Sequence, residues 1–284
     1  MINKQEILTT ARELNLSPYI VEKDYILSWV LAGIAIHASL NDSLIFKGGT
    51  CLKKCFFKNY RFSEDLDFSV NKRNILDIGE EFLLKNFVKI SKWVYDSVGI
   101  EIPTENLSFQ LHGNKTTNPT ITGTLSYRGP LQRQRGNLPR IKLDVTLNEK
   151  LVLPPEKLPI YHPYSDNFNK KTLISTYCIE EIFAEKLRAL ADRLRPRDLY
   201  DIASLYINKD LWQPNPKKIS NTLQIKCGHK DTPIPTLEFL NTKTEKPELI
   251  AEWHNMLGHQ INPLQPFENY WQLLPEIFDW LYMA

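Results

Sequence analysis

Cysteine is scarce in this chain, and the four present, Cys51, Cys55, Cys178 and Cys227, form no metal-binding pattern. Structural zinc takes about four Cys or His ligands. Cys51 and Cys55 have no second pair, and Cys227-Gly228-His229 is a lone Cys–His step. Reduced thiols in a cytoplasmic protein are expected. Charge of one sign is missing too. The 35 Lys and Arg against 33 Asp and Glu leave +2, too little to argue nucleic-acid binding from net charge. The longest apolar run, residues 29–36, falls far short of the roughly 20 residues that span a bilayer. The start, Met1-Ile2-Asn3-Lys4-Gln5-Glu6, lacks the apolar stretch of a secretory signal, so no membrane association is expected. Neither an internal repeat nor a low-complexity tract occurs, which excludes solenoid and linker-dominated architectures. The six histidines are scattered and are assigned no chemistry.

What is there is the composition of a globular protein: 42% hydrophobic and 24% charged over 284 residues. That length suits one large domain or two modest ones, at roughly 100–200 residues each. Apolar spacing predicts helices over 4–14 and 19–40, the second opened by Ser17-Pro18. A short strand over 44–46 runs into Lys47-Gly48-Gly49-Thr50, and a helix is expected over 50–57. Strands are expected over 65–70, 106–112, 120–127 and 139–147, and a helix over 75–98. Residues 153–169, rich in proline and aromatics, read as a surface-packed linker. Helices follow over 179–193 and 197–207, then near 236–257 and 266–283. The expected class is α/β (α+β), a mixed sheet flanked by helices over 1–170 with a helical lobe over 171–284.

Asp65-Leu66-Asp67 carries the chemistry. Residues i and i+2 of a strand share a face, so the two carboxylates stand side by side while Leu66 faces the core. Like charges that close repel unless a cation lies between them. Carboxylate oxygens suit Mg²⁺ or Mn²⁺. Asp144, on the polar face of an otherwise apolar strand, is the candidate third metal ligand. Gly48 and Gly49 let the backbone approach a phosphate, and Thr50 either caps the following helix or offers its hydroxyl to that phosphate. Phosphate donors and metal ligands together are what a metal-assisted displacement at a nucleotide α-phosphate needs.

Other charged groups are less committed. Arg193, Arg195 and Arg197 follow the helix holding Lys186, and lysine and arginine both grip triphosphates. Asp198 and Asp201, three apart on a helix, either orient Lys186 or the acceptor, or pair with Arg195 and Arg197. Arg128, Arg133, Arg135, Arg140 and Lys142 form a basic run with no acid between them, either an RNA-phosphate contact or a solvated hairpin. Glu22, Lys23 and Asp24 share one turn of a largely apolar helix, where a structural tie is favoured over a place in the cleft.

Five blocks in order resemble the AbiEii/AbiGii toxin family of nucleotidyltransferases, a branch of the polymerase-beta-like superfamily that includes the MenT toxins. They are Glu22-Lys23-Asp24-Tyr25, Phe46-Lys47-Gly48-Gly49-Thr50-Cys51-Leu52-Lys53, Arg61-Phe62-Ser63-Glu64-Asp65-Leu66-Asp67-Phe68, residues 181–190 around Lys186, and Arg197-Asp198-Leu199-Tyr200-Asp201. The resemblance implies a bilobed enzyme that transfers nucleotides from an NTP with Mg²⁺. In the MenT branch it implies the 3′ end of tRNA as acceptor and a cognate antitoxin as partner. It places Ser63 and Asp65 in the first catalytic motif, Asp67 as second metal ligand, Lys186 as the motif lysine, and Asp198 and Asp201 in the last acidic motif. Gly48, Gly49, Thr50, Lys53, Ser63 and Lys186 are the nucleotide-binding residues it implies. The expected function is a toxin that transfers NMP to RNA. The alternatives are a non-catalytic nucleotide- or RNA-binding protein on the same fold, or transfer to a protein or small molecule.

Overall fold

The computed structural model describes residues 1–71, 78–113, 119–132, 138–168 and 172–282. The chain forms two compact units, residues 1–151 with 155–177, and 152–154 with 178–284. The expected division after residue 170 falls outside the described residues.

The first unit is built on seven strands: Leu44–Lys47 (β1), Asp65–Val70 (β2), Ser108–His112 (β3), Thr120–Ser126 (β4), Arg140–Thr146 (β5), Glu156–Pro159 (β6) and Leu173–Thr176 (β7). Their order is β3-β4-β5-β2-β1-β7-β6. β2 runs parallel to β5 and antiparallel to β1, and β1 runs parallel to β7. Strict alternation explains β2 and β5. Leu66, Phe68, Ile141, Leu143 and Val145 are wholly buried on one face, which leaves Asp65, Asp67, Lys142 and Asp144 on the other. The expected linker instead contributes an edge strand, β6, paired with the four-residue β7.

Five helices belong to this unit: Lys4–Leu14 (α1), Pro18–Ile36 (α2), Ala38–Asn41 (α3), Gly48–Cys51 (α4) and Glu80–Val98 (α5). The single helix expected over 19–40 breaks at His37, whose backbone is extended. The helix expected over 50–57 begins at Gly48 and widens into a π-helical turn, Leu52–Phe56. Such turns recur at functional sites. On α5, Phe87 meets Phe109 of β3 with ring centroids 5.1 Å apart, which anchors that helix to the apolar face.

The Glu22-Lys23-Asp24 triplet is a set of structural ties. Glu22 accepts from the Leu131 amide at 2.7 Å, and Lys23 pairs with Glu64 at 3.1 Å. Asp24 pairs with Lys54 at 2.6 Å, both side chains at most 2% exposed. Tyr164 also donates to Asp24, at 2.8 Å, and Lys54 donates to Ser28, at 2.8 Å. Burial alone would raise the Asp24 pKa, but the charges of Lys54 and Lys53 outweigh it and hold the carboxyl below its ordinary range. Burial pushes the Lys54 ammonium down, against the pull of Asp24.

The second unit is helical. Its elements are Ile179–Arg193 (α6), Pro196–Ile207 (α7), Lys209–Trp212 (α8), Pro216–His229 (α9), Leu237–Asn241 (α10), Lys246–Leu257 (α11), Phe267–Trp271 (α12) and Leu274–Tyr282 (α13). α9 was not expected, although Asn215 caps it by accepting from the Lys218 amide and Pro216 opens it. It buries Ile219, Leu223 and Cys227, four residues apart, on one stripe. Lys226 is buried beside them because Glu181 and Glu185 of α6 take its ammonium at 3.0 and 3.1 Å. Glu181 also accepts from the amides of Val152 and Leu153, which ties 152–154 to this unit. Among the described residues no helix is long and apolar enough to cross a membrane.

Removing one partner of a buried ion pair strands the other charge, at a cost of about 3–5 kcal/mol. Lys54→Met should therefore lower stability by that order in urea denaturation, and Asp24→Leu with Lys54→Met should recover most of it. A single variant as stable as wild type, or a double variant no better than the single, would refute this account of the pair.

Candidate active site

The polar face of the sheet gathers the acids in register. Asp67 is the cross-strand partner of Asp144, and Asp65 is the partner of Lys142. On the outer side Thr122 of β4 pairs with Asp144, and on the inner side Lys47 of β1 pairs with Asp67. The row Lys47–Asp67–Asp144–Thr122 thus runs across four strands on one face. Asp144 accepts from the Thr122 hydroxyl at 2.9 Å and from the Lys142 ammonium at 2.6 Å. The hydrogen bond to Asp144, with the charges of Asp144, Asp65 and Asp67 added, holds Lys142 above the ordinary lysine range. Lys142 is thus a cation set among three carboxylates. Among the described residues no three His, Cys, Asp or Glu side chains form a ready cage for an ion.

The diglycine lies against this row. Gly48 has φ +81°, and a Cβ there would stand 2.5 Å from Oδ2 of Asp67. A Cβ at Gly49 would stand 2.5 Å from the Arg61 guanidinium and 3.3 Å from the Ser63 hydroxyl. Both glycines are thus required by close approach. Thr50 is buried and donates its hydroxyl to the Asp65 carbonyl at 2.5 Å, which fixes α4 to β2. That hydroxyl is spent on the backbone.

Lys53 departs from its expected role. It is 6% exposed, its ammonium donates to the Tyr60 carbonyl at 3.2 Å and sits 3.8 Å from the centroid of the Phe62 ring. Burial pushes its pKa down to about 8. Its geometry is that of a strut under residues 60–62. A phosphate ligand would need the ammonium outside. Arg61, 1% exposed and packed on Gly49, is a site neighbour the sequence reading passed over. So are Thr122 and Lys142 in their bonds to Asp144. The Lys-x-Asp spacing of 142 and 144 was the available signal.

In the second unit Lys186 of α6 and the α7 acids form their own cluster. The Lys186 ammonium lies 3.0 Å from Asp198 and 2.8 Å from Asp201, and both acids are fully buried. Arg193 adds a second bond to Asp198 at 2.8 Å. Burial alone would raise the Asp198 pKa, but Lys186 and Arg193 outweigh it and hold the carboxyl below its usual range. Both acids pair with Lys186, and Asp198 pairs with Arg193 as well. Of the basic run, Arg128, Arg140 and Lys142 are placed, while Arg133 and Arg135 lie outside the described residues.

These two clusters should respond differently to truncation. Lys186→Ala strands two buried carboxylates, with Arg193 still serving one, and should cost the protein about 3 kcal/mol. Asp65→Ala relieves like-charge crowding on a partly open face and should change stability by no more than about 0.5 kcal/mol. Chemical denaturation of the two variants checks this, and an unchanged midpoint for Lys186→Ala would contradict it.

No curated protein sequence matches the chain. One similar solved structure is MenT4, a nucleotidyltransferase toxin from Mycobacterium tuberculosis H37Rv. The two share a fold at a TM-score of 0.66 and 18% identity, over 100% of this chain and 91% of that one. The family described as nucleotidyl transferase AbiEii toxin, type IV TA system, matches residues 29–281. With most of its length so matched, the chain belongs to the AbiEii family of nucleotidyltransferase toxins.

Proposed function

We propose that this toxin transfers a nucleoside monophosphate from an NTP to RNA, with the 3′ end of tRNA as acceptor and Mg²⁺ or Mn²⁺ held by Asp65, Asp67 and Asp144. The observation that carries the reading is the contact of Gly48 with the Asp67 carboxylate. It sets the half-buried Gly48 end of the bend beside the acid row, where a phosphate is proposed to lie. The donor set fits a hard divalent cation, since all three groups are carboxylates on one face. When bound, such an ion polarises the phosphoryl oxygens and lowers the pKa of the attacking hydroxyl.

The acceptor hydroxyl oxygen forms a bond to the α-phosphorus as the bond to the β-phosphate oxygen breaks, and pyrophosphate leaves. Asp144, outermost of the acids, is assigned the hydroxyl proton, which passes on to solvent. Gly48 and Gly49 admit the triphosphate, and Ser63 lies against Gly49 to contact it. Thr50 and Lys53 position the bend and the segment before β2. Lys186, paired with Asp198 and Asp201, is assigned to substrate phosphate as a point charge. A cognate antitoxin is the further partner proposed, as the toxin–antitoxin family suggests.

Incubation with each labelled NTP, Mg²⁺ and total tRNA should label the RNA, and Asp67→Asn should lower the rate at least about 100-fold. RNA left unlabelled while a protein or small-molecule acceptor takes the label would move the acceptor. Nucleotide binding with no transfer to any of the three would end the reading. A second test concerns Lys142, which neutralises the acids that the ion needs. Lys142→Met should tighten Mn²⁺ binding several-fold in equilibrium dialysis without nucleotide, and unchanged or weaker binding would show that Lys142 does not compete there.

A further inference from the structure

The polar face continues past the acids. β5 is followed outward by β4 and β3, and along these strands runs a cleft of about 430 Å³. Asn106, Ser108, Thr124, Ser126, Arg128 and Arg140 line it, with Leu138 at one side. It is in register with the site described above. Ser108 pairs with Thr124, Thr124 with Lys142, and Lys142 with Asp65, so one cross-strand row leads from the cleft to the acids. Ser126 pairs with Arg140, which lies four residues before Asp144 on the same face of β5, about 13 Å along the strand.

We propose that this cleft binds the sugar–phosphate backbone of the nucleic-acid acceptor, a few nucleotides from its reacting end. This rests on the transfer reading of Asp65, Asp67 and Asp144. Three features select the ligand. The lining offers two guanidinium groups, three hydroxyls and a carboxamide with no carboxylate among them. Guanidinium forks and hydroxyl donors are what phosphate oxygens take. Glu101 does pair with Arg128, at 3.3 Å, but both side chains are about half exposed (56% for Arg128 and 46% for Glu101), so a phosphate can displace it. Among the described residues no aromatic ring lines the cleft, so they offer no platform for a stacked base and suit backbone rather than sequence.

Position then separates acceptor from donor. The diglycine bend lies at the end of β1, and the cleft lies on β5, β4 and β3, so β2 and its acids stand between them. An NTP seated at the bend has its triphosphate on the β1 side. The second substrate is left the β5 side, where the hydroxyl to be modified reaches the acids from the opposite flank. Arg128 also lines a second cavity of about 400 Å³, but that one carries the carboxylates of Glu22 and Glu101 and repels phosphate. The backbone track therefore turns at Arg128.

The test uses the full chain with fluorescein-labelled total tRNA in EDTA, so that binding is read without turnover. Arg128→Ala with Arg140→Ala should weaken tRNA binding about ten-fold and reduce the salt slope of log K by about 1.4, near 0.7 per lost contact. In the transfer assay the KM for RNA should rise while the KM for NTP holds. The melting temperature should stay at the wild-type value, because both arginines are exposed. Unchanged tRNA affinity and slope would overturn the proposal, and so would a rise in the KM for NTP alone, which would give the cleft to the donor. If wild type binds tRNA through these arginines yet transfers nothing, the transfer reading fails while the cleft assignment stands.

Discussion

Three carboxylates on neighbouring strands, all facing one way, are an arrangement that folding alone disfavours, and the local structure around them is organised to tolerate it. Asp67 and Asp144 are cross-strand partners, and Asp65 is two residues from Asp67. Lys142 sits within 2.6 Å of Asp144 and answers the charge of the whole group. Lys47, the cross-strand partner of Asp67, closes the inner end of the row, with its ammonium 5.6 Å from the Tyr177 ring centroid. The opposite faces of the same strands are wholly buried, so a one-residue slip would drive the acids into the core. Hydrophobic alternation therefore fixes the electrostatic pattern. The geometry of the acid row is settled by Leu66, Phe68, Leu143 and Val145.

The bend at Gly48 depends on this row and in turn supports it. A Cβ at 48 would crowd Asp67, and one at 49 would crowd Arg61. Thr50 then joins α4 to the Asp65 carbonyl, and Lys53 holds residues 60–62 from below. One turn further on, Lys54 reaches back to Asp24 of α2. The motif residues 46–54 thus form a chain of contacts from the acid strand to the longest buried helix of the unit. Most of them hold the bend and the acid strand in place.

The sequence made much of this readable because the signals were local. The alternation of 65–70 and 139–147 located β2, β5 and all three acids, and Ser17-Pro18 marked the start of α2. Other features depend on partners distant in the chain. Nothing near Lys53 or Lys54 shows that both ammonium groups turn inward, since Asp24 lies 30 residues from Lys54. β7 is only four residues long and is a strand because β1 offers it an edge, and β6 forms in a proline-rich stretch only because β7 is there. α9 hides its period because Lys226, on its buried side, is neutralised by Glu181 and Glu185 of another helix. The Lys186 cluster was legible as residues and illegible as energetics. Its acids are fully buried, so truncating Lys186 strands them in the interior.

The central claim is that the acid row and the diglycine bend are one seat for a divalent cation and a triphosphate. Paramagnetic broadening by Mn²⁺ reads it in the unmodified protein. With a non-hydrolysable NTP present, substoichiometric Mn²⁺ should broaden the backbone amide signals of Gly48, Gly49, Asp65, Asp67 and Asp144 first, and leave those of α11 and α13 sharp. Broadening that spares residues 48, 49, 65, 67 and 144 while appearing elsewhere would contradict the account.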